Sequence, residues 1–198
     1  MYPPPHHQVQ DHQKMIAVIR EYPLGMLVST HNNRPHITHV PMIYESEGHK
    51  LVAHIDKMNP QVDTLKDGTP VTVVFKGPDC YISPSIYTTT QLPTWNYIIV
   101  HLEGTIRLIH DSEHTKQSMI NMTDFLEQPD QRYVLEKDNP RMSKLINYVQ
   151  AFEIHITSWE GKFKLSQDKN ATDQERAKQA LIKKSGAAAT GFINLICE

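Results

Sequence analysis

Two cysteines, Cys80 and Cys197, are all that the 198 residues carry. That is too few for a disulfide framework in a chain of this size, so both read as ordinary thiols. Long apolar runs are missing too. The longest, around Val71–Phe75 and Tyr97–Val100, fall far short of the roughly 20 residues that span a bilayer. The opening Met1-Tyr2-Pro3-Pro4-Pro5-His6-His7 has neither a basic nor an apolar stretch, so no leader is expected. Nor is there an excess of one charge. Lys plus Arg number 20 against 22 for Asp plus Glu, a net charge of -2 and a pI near 6.6. That balance excludes nucleic-acid binding by bulk electrostatics. GxGxxG, Walker, HExxH, CxxC and GxSxG motifs are all absent, which removes the common dinucleotide, NTPase, metalloprotease, dithiol and hydrolase signatures. What remains, 39% hydrophobic and 21% charged, suits one medium domain with a real core. The expectation is a soluble, reduced, cytoplasmic protein without a membrane span.

The pattern along the chain is mostly strand. Asp11–Tyr22 has Met15, Ile16, Ile19 and Tyr22 at helical spacing, with Asp11 as cap and Pro23 as stop. Leu24–Thr30, His36–Tyr44 and Leu51–Ile55 then read as an antiparallel meander joined by short turns. Val71–Phe75 is the strongest β signal; Gly77-Pro78-Asp79 reads as a turn before a short strand Cys80–Ser83. Asn96–Ile109 predicts one long strand with Gly104 as a bulge or kink. Ser112 predicts the cap of a helix reaching Leu126, and Arg141–Val149 a short helix after Pro140. Phe152–Ile156 and Gly161–Ser166 read as two strands, and Thr172-Asp173-Gln174-Glu175 as a capping box for a helix to Lys184. Residues 185–198 receive no assignment. The fold class is mainly β with peripheral helices, an α+β barrel: residues 1–170 as the barrel domain, with helical insertions at about 111–149, and 171–198 as a C-terminal helix and tail.

Three clusters could carry chemistry. Ala53-His54-Ile55-Asp56-Lys57-Met58-Asn59-Pro60 ends a strand in a cationic, amide-rich turn that can donate to an anion. Tyr81, Ser83, Trp95, Asn96 and Tyr97 concentrate aromatics and hydroxyls suited to a flat ligand. In Gly161–Gln167, read as a strand, Lys162, Lys164 and Ser166 share one face, opposite Phe163 and Leu165. Each also has a plain structural reading: a finished turn, core aromatics, a protected sheet edge. Together they suit a ligand with a phosphate end and a planar end. Of the twelve histidines only His54 is retained; His36 and His39, three apart in a strand, face opposite ways, and no metal site is expected.

The same residues carry a family resemblance. Met1-Tyr2-x-Pro4, Thr38-His39-Val40-Pro41, His54-x-x-Lys57-x-Asn59-Pro60-Gln61, Phe75-x-Gly77-Pro78-x-x-Tyr81-Ile82-Ser83-Pro84, Pro93-Thr94-Trp95-Asn96-Tyr97 and Gly161-Lys162-Phe163-Lys164-Leu165-Ser166-Gln167 occur in order over most of the chain. The sequence resembles the PaiB-type FMN-binding negative transcriptional regulators, whose fold is the FMN-binding split β-barrel also found in pyridoxamine phosphate oxidases. Lys57 stands where that pattern has arginine, Ala53 where it has glycine, Ile86 where it has tryptophan and Asp168 where it has asparagine.

The resemblance implies FMN as cofactor and a homodimer with flavin at the interface. His54, Lys57 and Asn59 would meet the phosphate or ribityl chain, Lys162 or Lys164 would add charge, and Tyr81, Ser83, Trp95, Asn96 and Tyr97 would border the ring. A flavin-dependent reductase or oxidase of a small molecule is the alternative, and a haem-binding split barrel a third. No residue stands out as acid, base or nucleophile. Direct DNA contact lacks support from charge: the best basic surface, Arg176, Lys178, Lys183 and Lys184, sits beside Asp173 and Glu175.

Overall fold

Asp11 starts the first helix as its side chain predicts. Its carboxylate accepts a hydrogen bond from the Gln13 N–H at 2.8 Å, satisfying one of the donors a helix start leaves unpaired. In the computed structural model, which describes residues 4–197, a short strand β1 (Gln8–Val9) precedes this helix, α1 (His12–Glu21). The Met1-Tyr2 part of the opening motif lies outside the described residues. Three strands follow, β2 (Leu24–His31), β3 (Arg34–Glu45) and β4 (Lys50–Asp56), paired as the expected meander. His31 pairs with Arg34, so Asn32-Asn33 is a two-residue hairpin loop; both have positive φ, which asparagine tolerates better than most residues.

The middle of the chain departs from the sequence pattern in two places. β5 (Pro70–Ile82) runs straight through Gly77-Pro78-Asp79, where a turn is expected. Gly77 and Pro78 are both buried, a one-position slip in the alternation, which is where a strand accommodates proline. A Cβ on Gly77 would stand 3.2 Å from the Ile98 Cβ, so the glycine serves a close approach between strands. β6 (Thr94–Ile109) is one strand as expected, but it keeps its in–out alternation through Gly104. That glycine is no kink either. A Cβ there would lie 2.6 Å from the His155 carbonyl oxygen.

Two helices are capped one or two residues earlier than expected. α2 (Ser112–Leu126) is capped by Asp111, whose carboxylate accepts from the His114 N–H at 2.7 Å, not by Ser112. α3 (Pro140–Leu145) passes into a 3-10 turn ending at Tyr148. The two strands expected at 152–156 and 161–166 are one, β7 (Val149–Lys164). α4 (Ala171–Ser185) is capped by Asn170, which accepts from the Asp173 N–H at 2.9 Å, in place of the Thr172 capping box. Asp173 is instead fully buried and accepts from the Thr88 N–H at 2.7 Å. The unassigned tail holds a helix, α5 (Thr190–Cys197).

The strands form a seven-stranded sheet in the order β1-β7-β4-β3-β2-β5-β6, and β6 also pairs with β7. That second pairing closes six strands into a ring and makes the architecture a split barrel, as expected. By contacts the chain divides into two compact units, residues 1–22, 74–101 and 159–198 in the first and 23–73 and 102–158 in the second. In the first unit Met15, Ile19, Phe75, Ile98, Phe163 and Ile193 are buried. Tyr22 meets Phe192 edge-on with ring centroids 5.2 Å apart, and the Lys14 ammonium donates to the Ile196 carbonyl at 3.1 Å, a favourable end for a helix dipole. In the second unit Leu27, Met42, Leu51, Leu102, Phe152 and Ile154 are buried, and Met122 of α2 packs on Ile43 and Val52.

Candidate functional site

The end of β4 is braced by side chains of its own motif. Asp56 accepts from the Met58 N–H at 2.8 Å, and the Lys57 N–H donates to the Tyr148 carbonyl at 2.8 Å. Asn59 accepts from the Gln61 N–H at 2.9 Å, capping a 3-10 turn, and donates to the Thr38 hydroxyl at 3.1 Å. Gln61, buried, donates to the Leu27 and His36 carbonyls at 3.2 and 3.0 Å, tying this turn to β2 and β3. The Asn-Pro-Gln triplet is therefore a structural brace that sets where Lys57 stands.

Lys57 itself is exposed and donates to the Asn147 carbonyl at 2.8 Å. An ammonium has three donors, so two remain for a ligand. Beside it lies a polar cavity of about 120 Å³ lined by Lys57, His110, Ser112, Thr115, Asn147 and Gln150. Those hydroxyls and the amide come from α2 and β7, far from Lys57 in sequence.

His54 is held differently. Its Nε2 lies 2.8 Å from the Ser118 hydroxyl, which in turn donates to the Thr115 carbonyl at 2.9 Å. The serine proton is thus committed, and Nε2 carries the imidazole proton. Burial pushes the His54 pKa down to about 4. At neutral pH the ring supplies a hydrogen bond and no charge. Because the folded pKa lies below the unfolded value, its contribution to stability is complete above about pH 6.5. It is lost as pH falls toward 4, by about 3 kcal/mol in all. Urea titrations of wild type and His54→Gln across that range should show the variant lacking this part of the pH slope.

In the first unit the aromatic residues of the sequence clusters come together. Trp95 and Tyr81 are 50% and 53% exposed, with ring centroids 6.3 Å apart. The Trp95 indole N–H donates to Asp79 at 2.8 Å, and Lys76 pairs with the same carboxylate at 2.7 Å. Burial opposes ionisation of Asp79, yet the bonds from Lys76 and Trp95 hold its carboxyl below the usual range. The Lys162 ammonium sits 5.4 Å from the centre of the Tyr97 ring. Lys76, Asp79, Trp95, Tyr97, His101 and Lys162 line one shallow hollow.

The remaining expected site residues are engaged within the fold. Asn96 is buried and donates to the Ser166 hydroxyl at 3.0 Å; Tyr87 reaches that hydroxyl at 2.8 Å. Ser166 has a φ of 65°, the left-handed region, and the Leu165 N–H is capped by Gln167 at 2.8 Å. The Lys-Leu-Ser-Gln run is thus a tight turn clamped from β6. Lys164 donates to the Thr94 hydroxyl at 2.5 Å, and Ser83 caps a 3-10 turn by accepting from the Ser85 N–H at 3.3 Å. Sequence reasoning missed Gln61 and Ser166 as anchors and Ser112, Thr115 and Gln150 as cavity lining. Only Gln61 and Ser166 lie in motifs that could have signalled them.

Comparison with known proteins bears on the family and the fold. A family model described as "Putative FMN-binding domain" matches residues 1–158. The chain is similar to protease synthase and sporulation protein PAI 2 of Bacillus subtilis, at 28% identity over 176 residues, covering 87% of this chain and 85% of that protein. Its fold is similar to that of an FAD and haem binding protein from Mycobacterium smegmatis, with a TM-score of 0.66 at 16% identity over 86% of this chain and 80% of the other. It is also similar to the flavocytochrome Anf3 from Azotobacter vinelandii, with a TM-score of 0.62 at 16% identity over 79% and 69% of the two chains. At such identities the structural likeness is one of fold.

Proposed function

The chain belongs to this FMN-binding-domain family, and from that premise we propose that it is a homodimeric flavoprotein with FMN at the dimer interface and a PaiB-type negative regulatory role. The observation that carries the reading is the polar cavity at Lys57. Its size suits a phosphate group, its lysine has two uncommitted donors and the Ser112 hydroxyl adds a third, while Thr115 and Gln150 form the wall with their own protons given to the Asp111, Ile109 and Ala151 carbonyls. The donor set fits the phosphate end of FMN. The first unit offers, separately, exposed aromatic surface in Trp95 and Tyr81 and in Tyr97 beneath the Lys162 ammonium. In the proposed dimer both chains contribute to each site.

Each residue's part follows from its surroundings. Lys57 and the Ser112 hydroxyl bind phosphate, and Thr115, bonded to the Asp111 carbonyl, shapes the wall beside them. Neutral His54 fixes α2 to β4 through Ser118, which positions Thr115 three residues earlier. Asn59 and Gln61 hold the turn, Asn96 and Lys164 hold the strand ends, and Ser83 holds the loop after β5. Bound FMN supplies hydride or electron transfer, which no side chain here can supply. An exposed apolar strip on the second unit supports self-association. Leu24, 59% exposed, pairs with Pro41, and Ile37, 54% exposed, pairs with Val28.

Two assays on the FMN-loaded protein separate regulator from reductase. A specific, salt-sensitive shift of DNA with no NAD(P)H oxidation supports a regulator that contacts DNA. Sustained NAD(P)H turnover without a DNA shift overturns the regulatory role in favour of a flavin reductase.

A further inference from the structure

His7 is 7% exposed, and neither of its ring nitrogens has a hydrogen-bond partner. A buried imidazole normally satisfies at least one nitrogen, so two unpaired ones call for a missing ligand. The groups around it suggest which. His6 precedes it in the 3-10 turn Pro5–His7, and Asp168 follows β7 at the entrance to α4. One ligand atom from each of the three lies within 4.8 Å of the others.

We propose that His6, His7 and Asp168 bind a divalent transition-metal ion of the zinc or cobalt type. Two imidazoles and one carboxylate are borderline donors that suit zinc, cobalt or nickel and not the oxygen-seeking magnesium or calcium. Three protein ligands leave at least one coordination position open. It would face a cavity of about 320 Å³ lined in part by His7, Thr94, Lys164, Asp168 and Lys169.

The surrounding charges set the affinity. Lys169 already pairs with Asp168 at 2.6 Å and must release it to a metal, while Lys164, fixed to Thr94 at 2.5 Å, adds repulsion. The same lysines could instead make His7 part of an anion site. The Asp168 carboxylate argues against that, because it stands within 4.8 Å of both imidazoles.

The test uses the full chain and the metals alone. Co²⁺ binding is followed by its visible absorption and Zn²⁺ binding by calorimetry. One ion per chain is expected. His6→Asn and Asp168→Asn, both at exposed residues, should weaken binding at least about tenfold. Lys169→Met should tighten it several-fold by freeing the carboxylate, an effect that a merely structural role would not produce. If neither metal binds, or if binding is unchanged in both Asp168→Asn and Lys169→Met, the proposal is overturned. Any ion taken up in the second case belongs to others of the twelve histidines. A melting-temperature rise with sulfate and none with Zn²⁺ would likewise overturn it, assigning the cavity to an anion.

Discussion

Gly104→Ala is expected to destabilise the fold by about 3 kcal/mol, a large loss for one methyl group. The added carbon would meet two atoms at once, the His155 carbonyl oxygen and the Ile154 Cγ2, each at 2.6 Å. Real Cβ contacts do not come that close. The neighbour on one side is backbone, so no rotamer change relieves the clash, and β6 or β7 must shift. Backbone strain is not the cause, because Gly104 is not among the residues with positive φ. Gly191→Ala in α5 is the control. A Cβ there meets nothing within 4 Å, and exchanging glycine for alanine in a helix should be neutral or stabilise by up to about 1 kcal/mol. Urea midpoints of the two variants check the pair of expectations. A Gly104→Ala midpoint equal to wild type would mean that the strands are not packed as described.

Lys57→Ala is expected to weaken FMN binding roughly 10- to 100-fold, the range for losing a charge-assisted hydrogen bond to phosphate. Riboflavin, which lacks the phosphate, should bind the variant and wild type alike. That contrast separates a lost phosphate contact from general damage to the fold. Lys57→Arg should tighten FMN several-fold, since a guanidinium grips a phosphate with a planar fork and an ammonium acts as a point charge. Quenching of FMN fluorescence measures all three. Equal losses for FMN and riboflavin in Lys57→Ala would take the phosphate away from this cavity.

Much of the framework was legible because it rests on local chemistry. Asp11, Pro23 and the apolar positions between them specify α1, and the short turns between β-branched runs specify the β2–β4 meander. The readings that failed concern residues whose local preference is overridden by another residue, either distant in sequence or just ahead of them. Gly77-Pro78-Asp79 has the composition of a turn, yet Gly77 is there to admit Ile98. Ser112 and Thr172 are good caps, but Asp111 and Asn170 stand just ahead of them and cap first. Residues 190–197 gave no helix signal beyond a short apolar run, and their contact with Tyr22 of the α1 end lies over 160 positions away.

The candidate site divides in the same way. Lys57 and the aromatics Tyr81, Trp95 and Tyr97 were visible as unusual clusters, and the structure leaves Lys57, Tyr81 and Trp95 exposed to a ligand. Asn59, Asn96 and Ser83 belong to the same motifs but are engaged in holding the scaffold. A motif read in one dimension cannot separate the residues that touch a ligand from those that place them. Ser112, Thr115 and Gln150 line the cavity with no motif at all, and only folding brings them to Lys57.

The most direct test of the account is the absorption spectrum of the purified protein after loading with FMN and desalting, with the flavin-to-chain ratio measured on the same sample. The account predicts retained flavin, seen as paired bands in the blue and near-ultraviolet, at one FMN per chain. A colourless protein whose melting temperature is unmoved by excess FMN would contradict it, and so would a Soret band without flavin bands.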